Sequence, residues 1–375
     1  MRNYLAFKKV FRYFIIYGMP RTIVKVAGRT NSLILKFFFK STYVKKKRYT
    51  SLIGCGQFGF STISYFLQKK YGNVFLDCFD INENNTVRCS KFWKYTKINS
   101  VEELIKNSQC KYIYIASDHY SHTDYAIKSI NAGKTVYIEK PISVNFDQYH
   151  NLINTIKNTE KKVYVGYNRP FSKAIKFLNK FLTNSNDPYT ISCFIYAHFL
   201  ESDHWYRQPE QGTRICGNVG HWIDLSINIL NNKQNFPSIF YIDITYSNLE
   251  EPDDNISINI TTEQNDLINI LITSYSDPFE GINETINIHH SNIHYKIDDF
   301  RRSTLWIGDK VYRKKYFPKD VGHKEAILQP FKSNKRDFLE IEYSTLLMLH
   351  IADMVKNKEK NKTINLIEEH NKYFN

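Results

Sequence analysis

The stretch that decides the fold reads Tyr49-Thr50-Ser51-Leu52-Ile53-Gly54-Cys55-Gly56-Gln57-Phe58-Gly59. Its first five residues predict a short buried strand, and Ile63, Phe66 and Leu67 follow at the spacing of an amphipathic helix. The three glycines alone are weak evidence. Between a strand and a helix, however, they allow a tight turn, close approach of a pyrophosphate to the backbone and close packing of the helix. The stretch therefore predicts a dinucleotide-binding domain that begins near residue 49.

A carboxylate, Asp80, ends the next predicted strand at residues 73–80. At that position a carboxylate can accept hydrogen bonds from the ribose hydroxyls of an adenosine, and it would repel a 2′-phosphate. No Arg follows within Ile81-Asn82-Glu83 to bind such a phosphate. The pattern favours NAD over NADP, while the simpler interpretation of Asp80 is an ordinary carboxylate at a strand end.

Strand-like and helix-like segments alternate as far as residue 165, which predicts a doubly wound parallel sheet of the α/β class. Beyond Arg169 the pattern changes, and it predicts a mostly antiparallel sheet with two helices, at about residues 218–230 and 335–356. The predicted strands lie at 190–199, 239–247, 256–262, 267–273, 285–289, 293–297 and 304–307. We therefore expect a basic extension at 1–48, a Rossmann domain at 49–170 and an α+β substrate and oligomerisation domain at 171–375. A chain of 375 residues is long enough for two such cores.

The net charge of +14 is concentrated at the N-terminus. Residues 1–48 contain 13 Lys or Arg and no Asp or Glu, which leaves 38 basic and 37 acidic residues for the remainder. A nearly neutral body argues against a general nucleic-acid-binding surface.

Two interpretations of the extension stay open. Its short apolar runs, which include Phe7, Phe11, Phe14 and Phe37-Phe38-Phe39, predict neither a membrane span nor a secretory signal. The extension could pack its aromatic residues on the body of the protein. Alternatively, it could lie on the inner face of an anionic membrane as a peripheral contact.

Six cysteines are scattered along the chain without a Cys-x-x-Cys pair. This spacing favours neither a disulfide framework nor a zinc site, and it suits a reducing cytoplasm. His289 and His290 are interpreted as strand residues because no third metal ligand is evident, so no metal is expected.

A second informative stretch, Glu139-Lys140-Pro141, follows another predicted parallel strand. A surface lysine is the simpler interpretation, but here the sequence resembles the Gfo/Idh/MocA oxidoreductases, in which a Glu-Lys-Pro tripeptide occupies this place. The segments Ser121-His122 and Gly166-Tyr167-Asn168-Arg169 are similar to that family's helix and interdomain junction. The resemblance covers residues 49 to about 350 and leaves the extension outside.

The strongest likeness is Gly212-Thr213-Arg214-Ile215-Cys216-Gly217-Asn218-Val219-Gly220-His221-Trp222-Ile223-Asp224-Leu225. It is similar to the family segment in which a glycine-rich turn leads into a helix with the catalytic histidine and, three residues later, an aspartate. The resemblance thus implies that His221 is catalytic and that Asp224 orients it, although Asp224 could equally serve as a helix-surface partner. Many sugar dehydrogenases of the family carry Asp where this chain has Gly217, which puts the proton relay in doubt.

The chemistry expected of this pair follows from hydride transfer. Oxidation of an alcohol needs a base for the hydroxyl proton and positive charge near the developing alkoxide. His221 suits the first role and Lys140 the second. Burial lowers the pKa of a lysine, so the two residues could exchange these roles. We predict that the cofactor is bound by Gly54, Gly56, Gln57, Phe58, Gly59, Asp80, Ser117, His122, Glu139 and Lys140.

Residues that could bind the substrate lie mainly before and within the glycine-rich turn: Asn168, Arg169, Trp205, Tyr206, Arg207, Arg214 and Asn218. Trp205 offers a ring for a sugar face, and Arg207 offers a guanidinium for a carboxylate or phosphate. An ordered structural loop is the alternative.

The main hypothesis is an NAD-dependent oxidoreductase of a sugar or nucleotide sugar. A cyclitol dehydrogenase is the near alternative. A catalytically silent dinucleotide sensor or scaffold is an alternative of another class, and Gly217 is the residue that favours it. The resemblance also implies a homo-oligomer, either a dimer or a tetramer.

Overall fold

The computed structural model describes residues 2–30, 32, 34–38, 48–159, 162–332 and 336–373. The chain divides into two compact units. The first contains Met1–Ser143, Asp147–Gly166 and His323–Lys335, and the second contains Val144–Phe146, Tyr167–Gly322 and Arg336–Asn375. The segment His323–Lys335 is thus part of the first unit although it follows all but the last strand of the second.

The helices alternate with strands in the first unit and are fewer in the second. The α-helices are α1 Arg2–Tyr17, α2 Met19–Thr30, α3 Ser64–Tyr71, α4 Glu83–Trp93, α5 Val101–Lys106, α6 Ser121–Asn131, α7 Phe146–Lys157, α8 Lys173–Leu178, α9 Gly220–Leu230, α10 His323–Ile327, α11 Phe338–Asn357 and α12 Leu366–Lys372. Two wider π-helical turns, Gly59–Ile63 and Ile215–Val219, lead directly into α3 and α9.

The strands are β1 Thr50–Ile53, β2 Phe75–Phe79, β3 Thr96–Lys97, β4 Tyr112–Ile115, β5 Thr135–Ile138, β6 Val163–Val165, β7 Tyr189–Tyr196, β8 Ile239–Tyr246, β9 Ile256–Thr262, β10 Leu267–Thr273, β11 Asn283–His290, β12 Ile293–Asp298, β13 Arg302–Ile307, β14 Lys310–Lys315 and β15 Asn361–Asn365.

Within the described residues, the first unit contains a parallel sheet in the order β3-β2-β1-β4-β5-β6. Every residue of β1 is buried, as expected of a strand covered on both faces of a parallel sheet. The strand order reverses direction between β1 and β4, which creates a crevice at the carboxyl ends of the strands. The predicted α/β doubly wound sheet is therefore confirmed.

The described strands of the second unit form a nine-stranded sheet in the order β14-β13-β12-β11-β7-β10-β9-β8-β15. Its pairs are antiparallel except for β7 with β10, which run parallel. Alternate residues are buried, as in β9 where Ile256, Ile258 and Ile260 point inward, so that one face of the sheet forms a core. The predicted mostly antiparallel domain is also confirmed.

The edge strand β14 differs from the other strands of this sheet. Four of its six residues are basic, namely Lys310, Arg313, Lys314 and Lys315, and no residue of β14 is buried. Among the described strands it pairs only with β13.

The N-terminal extension forms α1 and α2. Val24 and Ala27 of α2 are buried in the core of the first unit together with Phe60. In contrast, Phe7, Phe11 and Phe14 of α1 remain exposed. Packing on the body is thus observed for α2 and not for these three Phe residues of α1; Phe39, Lys40 and Lys45-Lys46-Lys47 lie outside the described residues.

None of the helices in the described ranges is both long enough and apolar enough to cross a membrane.

Candidate functional site

The glycine-rich turn follows β1 and has the geometry that its sequence predicts. Gly54 has φ +89°, and a Cβ there would lie 2.3 Å from the carbonyl of Ala116. A Cβ on Gly59 would lie 2.1 Å from the carbonyl oxygen of Gly54, so the helix packs directly on the turn. By contrast, a Cβ on Gly56 would meet no atom within 4 Å. The turn therefore leaves open space beside Gly56, where a pyrophosphate could approach the backbone.

Gln57 and Phe58 lie at the start of the following helix. Ser61 Oγ donates to the carbonyl of Gln57 at 2.7 Å, and Gln57 Nε2 donates to the carbonyl of Lys25 in α2 at 3.3 Å. The ring of Phe58 meets the ring of His323 edge to face, with centroids 5.5 Å apart. Both residues thus hold neighbouring segments of the first unit against the turn.

Asp80 lies at the end of β2 and binds the turn itself. Its Oδ2 accepts a hydrogen bond of 2.7 Å from the backbone N–H of Cys55, and its Oδ1 accepts one of 2.8 Å from that of Asn82. The side-chain amide of Asn85 also donates to Oδ1, at 3.4 Å. A carboxylate that accepts three such bonds retains a further lone pair. Asp80 can therefore support the turn and still accept from a ribose hydroxyl.

Arg88, in α4, is a site residue that the sequence did not single out. One guanidinium nitrogen donates to the carbonyl of Gly28 in α2 at 2.8 Å, and the other donates to the carbonyl of Cys55 at 2.9 Å and to Asn85 Oδ1 at 3.0 Å. The guanidinium also lies over the ring of Phe60, 5.0 Å from its centroid. Arg88 thus joins the extension to the glycine-rich turn.

The side chain of His122 connects the segment that follows β4 with the segment that follows β5. This side chain is buried, with Nδ1 2.8 Å from the carbonyl oxygen of Pro141 and Nε2 3.2 Å from that of Ser117. Burial lowers the pKa of His122, which favours the neutral ring. A neutral imidazole donates from one nitrogen, and we assign the proton to Nδ1 because its contact is the shorter.

Glu139 directly follows β5 and is buried beside Gly166, the residue that follows the edge strand β6. The Tyr137 hydroxyl donates to Glu139 Oε2 at 3.2 Å, and a Cβ on Gly166 would lie 2.1 Å from that oxygen. Burial raises the pKa of Glu139 to about 8, against the opposing charge of Lys140. Lys140 itself is half-buried. Burial therefore favours the neutral form of this carboxyl group.

In the second unit, His221 lies in the first turn of α9, directly after the π-helical turn that contains Gly217 and Asn218. The ring of His221 is half-buried and meets the ring of Tyr167 edge to face, with centroids 6.1 Å apart. Asn218 is also half-buried. These side chains occupy one end of α9.

Asp224 has partners other than the expected histidine. Both of its carboxylate oxygens accept hydrogen bonds from Arg336, at 2.8 and 2.7 Å, and Ser344 Oγ donates to Oδ1 at 3.1 Å. Burial raises the pKa of Asp224 to about 6, while Arg336 opposes that shift, so the side chain is ionised at neutral pH. The contacts connect α9 with α11 and the residues just before it, and they give Asp224 a structural role.

Three arginines predicted to contact substrate are bound to carboxylates. Arg169 forms a bidentate pair with Glu284 at 2.8 and 3.0 Å, and Trp222 Nε1 donates to the same carboxylate at 2.7 Å. Arg207 and Arg214 both bind Asp254, at 2.9 and 3.0 Å. These buried or half-buried pairs hold the second unit together.

The uncharged substrate candidates differ in exposure. Trp205 is 38% exposed, and its ring packs edge to face on that of Tyr206 at 4.4 Å. Asn168 is buried; its Nδ2 donates to the carbonyl of Val321, whereas its Oδ1 has no hydrogen-bond partner among the described residues. Trp205 and Tyr206 are therefore the aromatic side chains that a ligand could contact.

The structure brings most predicted cofactor residues of the first unit to the carboxyl ends of β1, β2, β4 and β5. Tyr137, Gly166 and Arg88 join them. The sequence carried no signal for Arg88, because the helix around it is mostly polar and two of its partners are distant in the chain. Among the described side chains, no group of three or more His, Cys, Asp or Glu residues is arranged to hold a metal ion.

Comparisons with known proteins support the assignment of the first unit. Residues 49–167 match the model of an oxidoreductase family with an NAD-binding Rossmann fold. The inositol 2-dehydrogenase of Serratia proteamaculans is 26% identical over 147 residues, which are 38% of this chain and 44% of that protein. The chain spans less than half the length of the first curated relatives it matches.

Solved structures extend the likeness of fold over both units. GenD2 from gentamicin A biosynthesis, in complex with NAD, has a TM-score of 0.70 at 12% identity and covers 87% of this chain and 99% of its own. The UDP-N-acetylglucosamine 3-dehydrogenase GnnA from Acidithiobacillus ferrooxidans has a TM-score of 0.66 at 14% identity and covers 83% and 99%. At these identities the likeness concerns the fold.

Proposed function

Because the Rossmann domain, residues 49–167, belongs to the Gfo/Idh/MocA oxidoreductase family, we propose that the chain is an NAD-dependent oxidoreductase acting on a sugar or nucleotide sugar. The observation that carries this proposal is the open space beside Gly56 in a turn supported by Asp80. Such a turn accepts a pyrophosphate, and Asp80 would accept a hydrogen bond from a ribose hydroxyl. Gln57, Phe58 and Gly59 complete the turn.

NAD fits the adenosine end of this site better than NADP. Asp80 would repel a 2′-phosphate, and Arg88, a basic side chain in contact with the turn, already donates to the oxygens of Gly28, Cys55 and Asn85. When bound, NAD would supply the nicotinamide ring that accepts or returns the hydride. Ser117, His122 and Glu139 would shape the pocket for it.

Lys140 and His221 are the proposed proton-handling and oxyanion-stabilising pair. His221 would take the hydroxyl proton as the substrate carbon loses its hydride, and the charge of Lys140 would stabilise the developing oxyanion. Burial favours the neutral form of Glu139, the residue that precedes Lys140. With Gly217 in place of an aspartate, His221 would release its proton by another route, and Asp224 is occupied by Arg336.

The proposed substrate class rests on two kinds of support. The relatives and neighbours include enzymes named for inositol and for UDP-N-acetylglucosamine. In the chain itself, Trp205 offers an exposed ring for a sugar face, with Tyr206 packed against it. Asn168 and Asn218 would add hydrogen bonds, whereas Arg169, Arg207 and Arg214 would act by holding the surrounding loops.

A cyclitol substrate is the second candidate, favoured by the inositol dehydrogenases among the relatives. We also propose a homo-oligomer, which rests on the family resemblance. A reducing, cytoplasmic setting is supported by the six cysteines, which are all buried free thiols.

The test is an assay that follows NADH formation by its absorbance, with NAD and a panel of sugars, nucleotide sugars and cyclitols as substrates. We expect turnover that is lost in both Lys140→Ala and His221→Ala. Lys173→Ala and His294→Ala replace exposed residues of the same types and should retain it. NADH binding without turnover on any panel member would instead support a sensor or scaffold.

A further inference from the structure

Helix α1 exposes an apolar stripe to solvent. Tyr4, Phe7, Phe11, Phe14 and Ile15 are between 41% and 68% exposed, although their types are usually buried. Successive residues of a helix turn by about 100° per residue, so these positions fall on one continuous face. Val10, 40% exposed, lies at the edge of the same face. We name these six residues the α1 stripe.

The opposite face of α1 is the one that packs on the protein. Ile16 is 5% exposed, and the rings of Tyr13 and Tyr17 contact each other in a tilted arrangement with centroids 4.4 Å apart. Arg21 of α2 lies over the ring of Tyr17 at 5.2 Å and over that of Phe66 in α3 at 4.8 Å. The helix is therefore fixed with its α1 stripe directed away from the first unit.

The next helix, α2, holds this arrangement in place. Val24 and Ala27 are buried in the core, and Gly28 accepts the hydrogen bond from Arg88. A Cβ on Gly28 would lie 2.9 Å from both Gln57 Oε1 and Phe60 Cδ1, which shows how closely α2 approaches the first unit. The α1 stripe is thus presented on a supported helix.

The charges around the stripe are of one sign. Lys8 and Arg12 lie along one border of the stripe, and Lys9 lies farther round the helix. No acidic residue occurs among residues 1–48. A second copy of such a helix would be repelled, whereas an anionic surface with an apolar interior matches both the charge and the aromatic side chains.

We propose that α1 docks on the surface of an anionic lipid bilayer, inserting the α1 stripe between the headgroups. The helix lies in the plane of the membrane, since its 16 residues are too few to cross it. The basic side chains remain at the headgroup level, where they neutralise lipid charge. This inference is independent of the enzymatic proposal because none of the residues proposed to contact lipid belongs to the catalytic or cofactor site.

Vesicle flotation of the full-length protein tests the proposal. We expect the protein to float with vesicles containing about 30% phosphatidylglycerol in phosphatidylcholine and to float at least tenfold less with pure phosphatidylcholine. The triple variant Phe7→Ser/Phe11→Ser/Phe14→Ser should lose at least tenfold in the bound fraction on anionic vesicles. The matched variant Leu249→Ser/Tyr275→Ser/Phe317→Ser removes three exposed apolar side chains of the second unit and should bind as the wild type does.

Thermal unfolding checks that each triple variant folds. Equal flotation of the α1 variant and the wild type would overturn the proposal, as would equal binding to neutral and anionic vesicles or an absence of flotation. Retention of the wild-type protein on a short DNA duplex, with the same loss in the α1 variant and no flotation, would assign the stripe to nucleic acid instead.

Discussion

The guanidinium of Arg88 donates a hydrogen bond of 2.8 Å to the carbonyl oxygen of Gly28, and thereby fixes the N-terminal extension to the domain that carries the glycine-rich turn. Since Arg88 also donates to Cys55 within that turn, we expect Arg88→Met to disturb both. The extension should become more accessible to trypsin at Arg21 and Lys25, and the dissociation constant for NADH should rise about tenfold, as expected for lost charged hydrogen bonds.

Arg313→Met is the control, because Arg313 is exposed on the edge strand β14 of the other unit. Fluorescence titration with NADH and timed proteolysis are the two measurements. If Arg88→Met binds NADH like the control and is cut no faster, Arg88 does not support the turn.

Asp80 determines the preference for NAD in our proposal. In Asp80→Asn the ribose diol loses a charged acceptor and the repulsion of a 2′-phosphate disappears. We expect affinity for NADH to fall about tenfold and the ratio of NADPH to NADH affinity to rise. Glu83→Gln, an exposed acidic residue in the following helix, should leave both affinities unchanged. An unchanged ratio in Asp80→Asn would contradict the assignment of Asp80 to the ribose.

Gly166 leaves room for the buried carboxyl of Glu139. A methyl group in Gly166→Ala would lie 2.1 Å from Glu139 Oε2 and 3.0 Å from the Tyr137 hydroxyl, so the variant should lose about 1–3 kcal/mol of unfolding free energy. Removal of the carboxyl in Glu139→Ala/Gly166→Ala should make the double variant more stable than the sum of the single effects predicts. Urea denaturation measures all three, and strict additivity would show that the two residues are not in contact.

Glu139 also predicts a pH dependence of stability. Its pKa rises from 4.5 to about 8 on burial, so between these values the folded state holds a proton that the unfolded state has lost. This group's contribution to the free energy of unfolding should therefore fall as pH rises, by about 1.4 kcal/mol per pH unit, and level off above pH 8. The difference between wild type and Glu139→Gln should follow that slope in denaturation at several pH values. A difference independent of pH would mean that Glu139 ionises normally.

Substitution of Arg169, which binds Glu284, tests whether Arg169 has a structural or a substrate-binding role. Arg169→Met leaves the buried Glu284 with Trp222 and no cation, which should cost about 3–5 kcal/mol of unfolding free energy. The double variant Arg169→Met/Glu284→Gln should recover part of that loss. If Arg169→Met keeps the stability of the wild type and only raises KM, Arg169 acts on substrate.

Much of the fold could be predicted from the sequence, because apolar residues repeat at clear intervals. The strands at 256–262 and 267–273 have their predicted bounds, since isoleucines alternate along both. The helix Glu83–Trp93 was missed because only Thr86, Cys89, Phe92 and Trp93 are buried in an otherwise polar segment. Strands β14 and β15 and helix α12 were also not predicted, and β14 has no buried residue to mark it.

Site residues could be predicted where their role depends on neighbouring elements of the sequence. They could not be predicted where their role depends on partners distant in the chain. The glycine turn and Asp80 act through a strand, a turn and the next strand, so their spacing carried the prediction. Arg169 and Asp224 were assigned from neighbouring residues, yet they bind Glu284 and Arg336, which lie more than one hundred residues away in the chain. No pattern in the sequence indicates such pairs, and Asp224 as the orienter of His221 remains a prediction.

The basic edge strand β14 has a consequence for how copies of this protein can associate. Unpaired strand edges invite another strand to add to the sheet, which leads to continuous, fibre-like growth. Here a second β14 would bring Lys310, Arg313, Lys314 and Lys315 against the same four charges. Addition of a second copy's β14 at this edge is therefore disfavoured by charge repulsion.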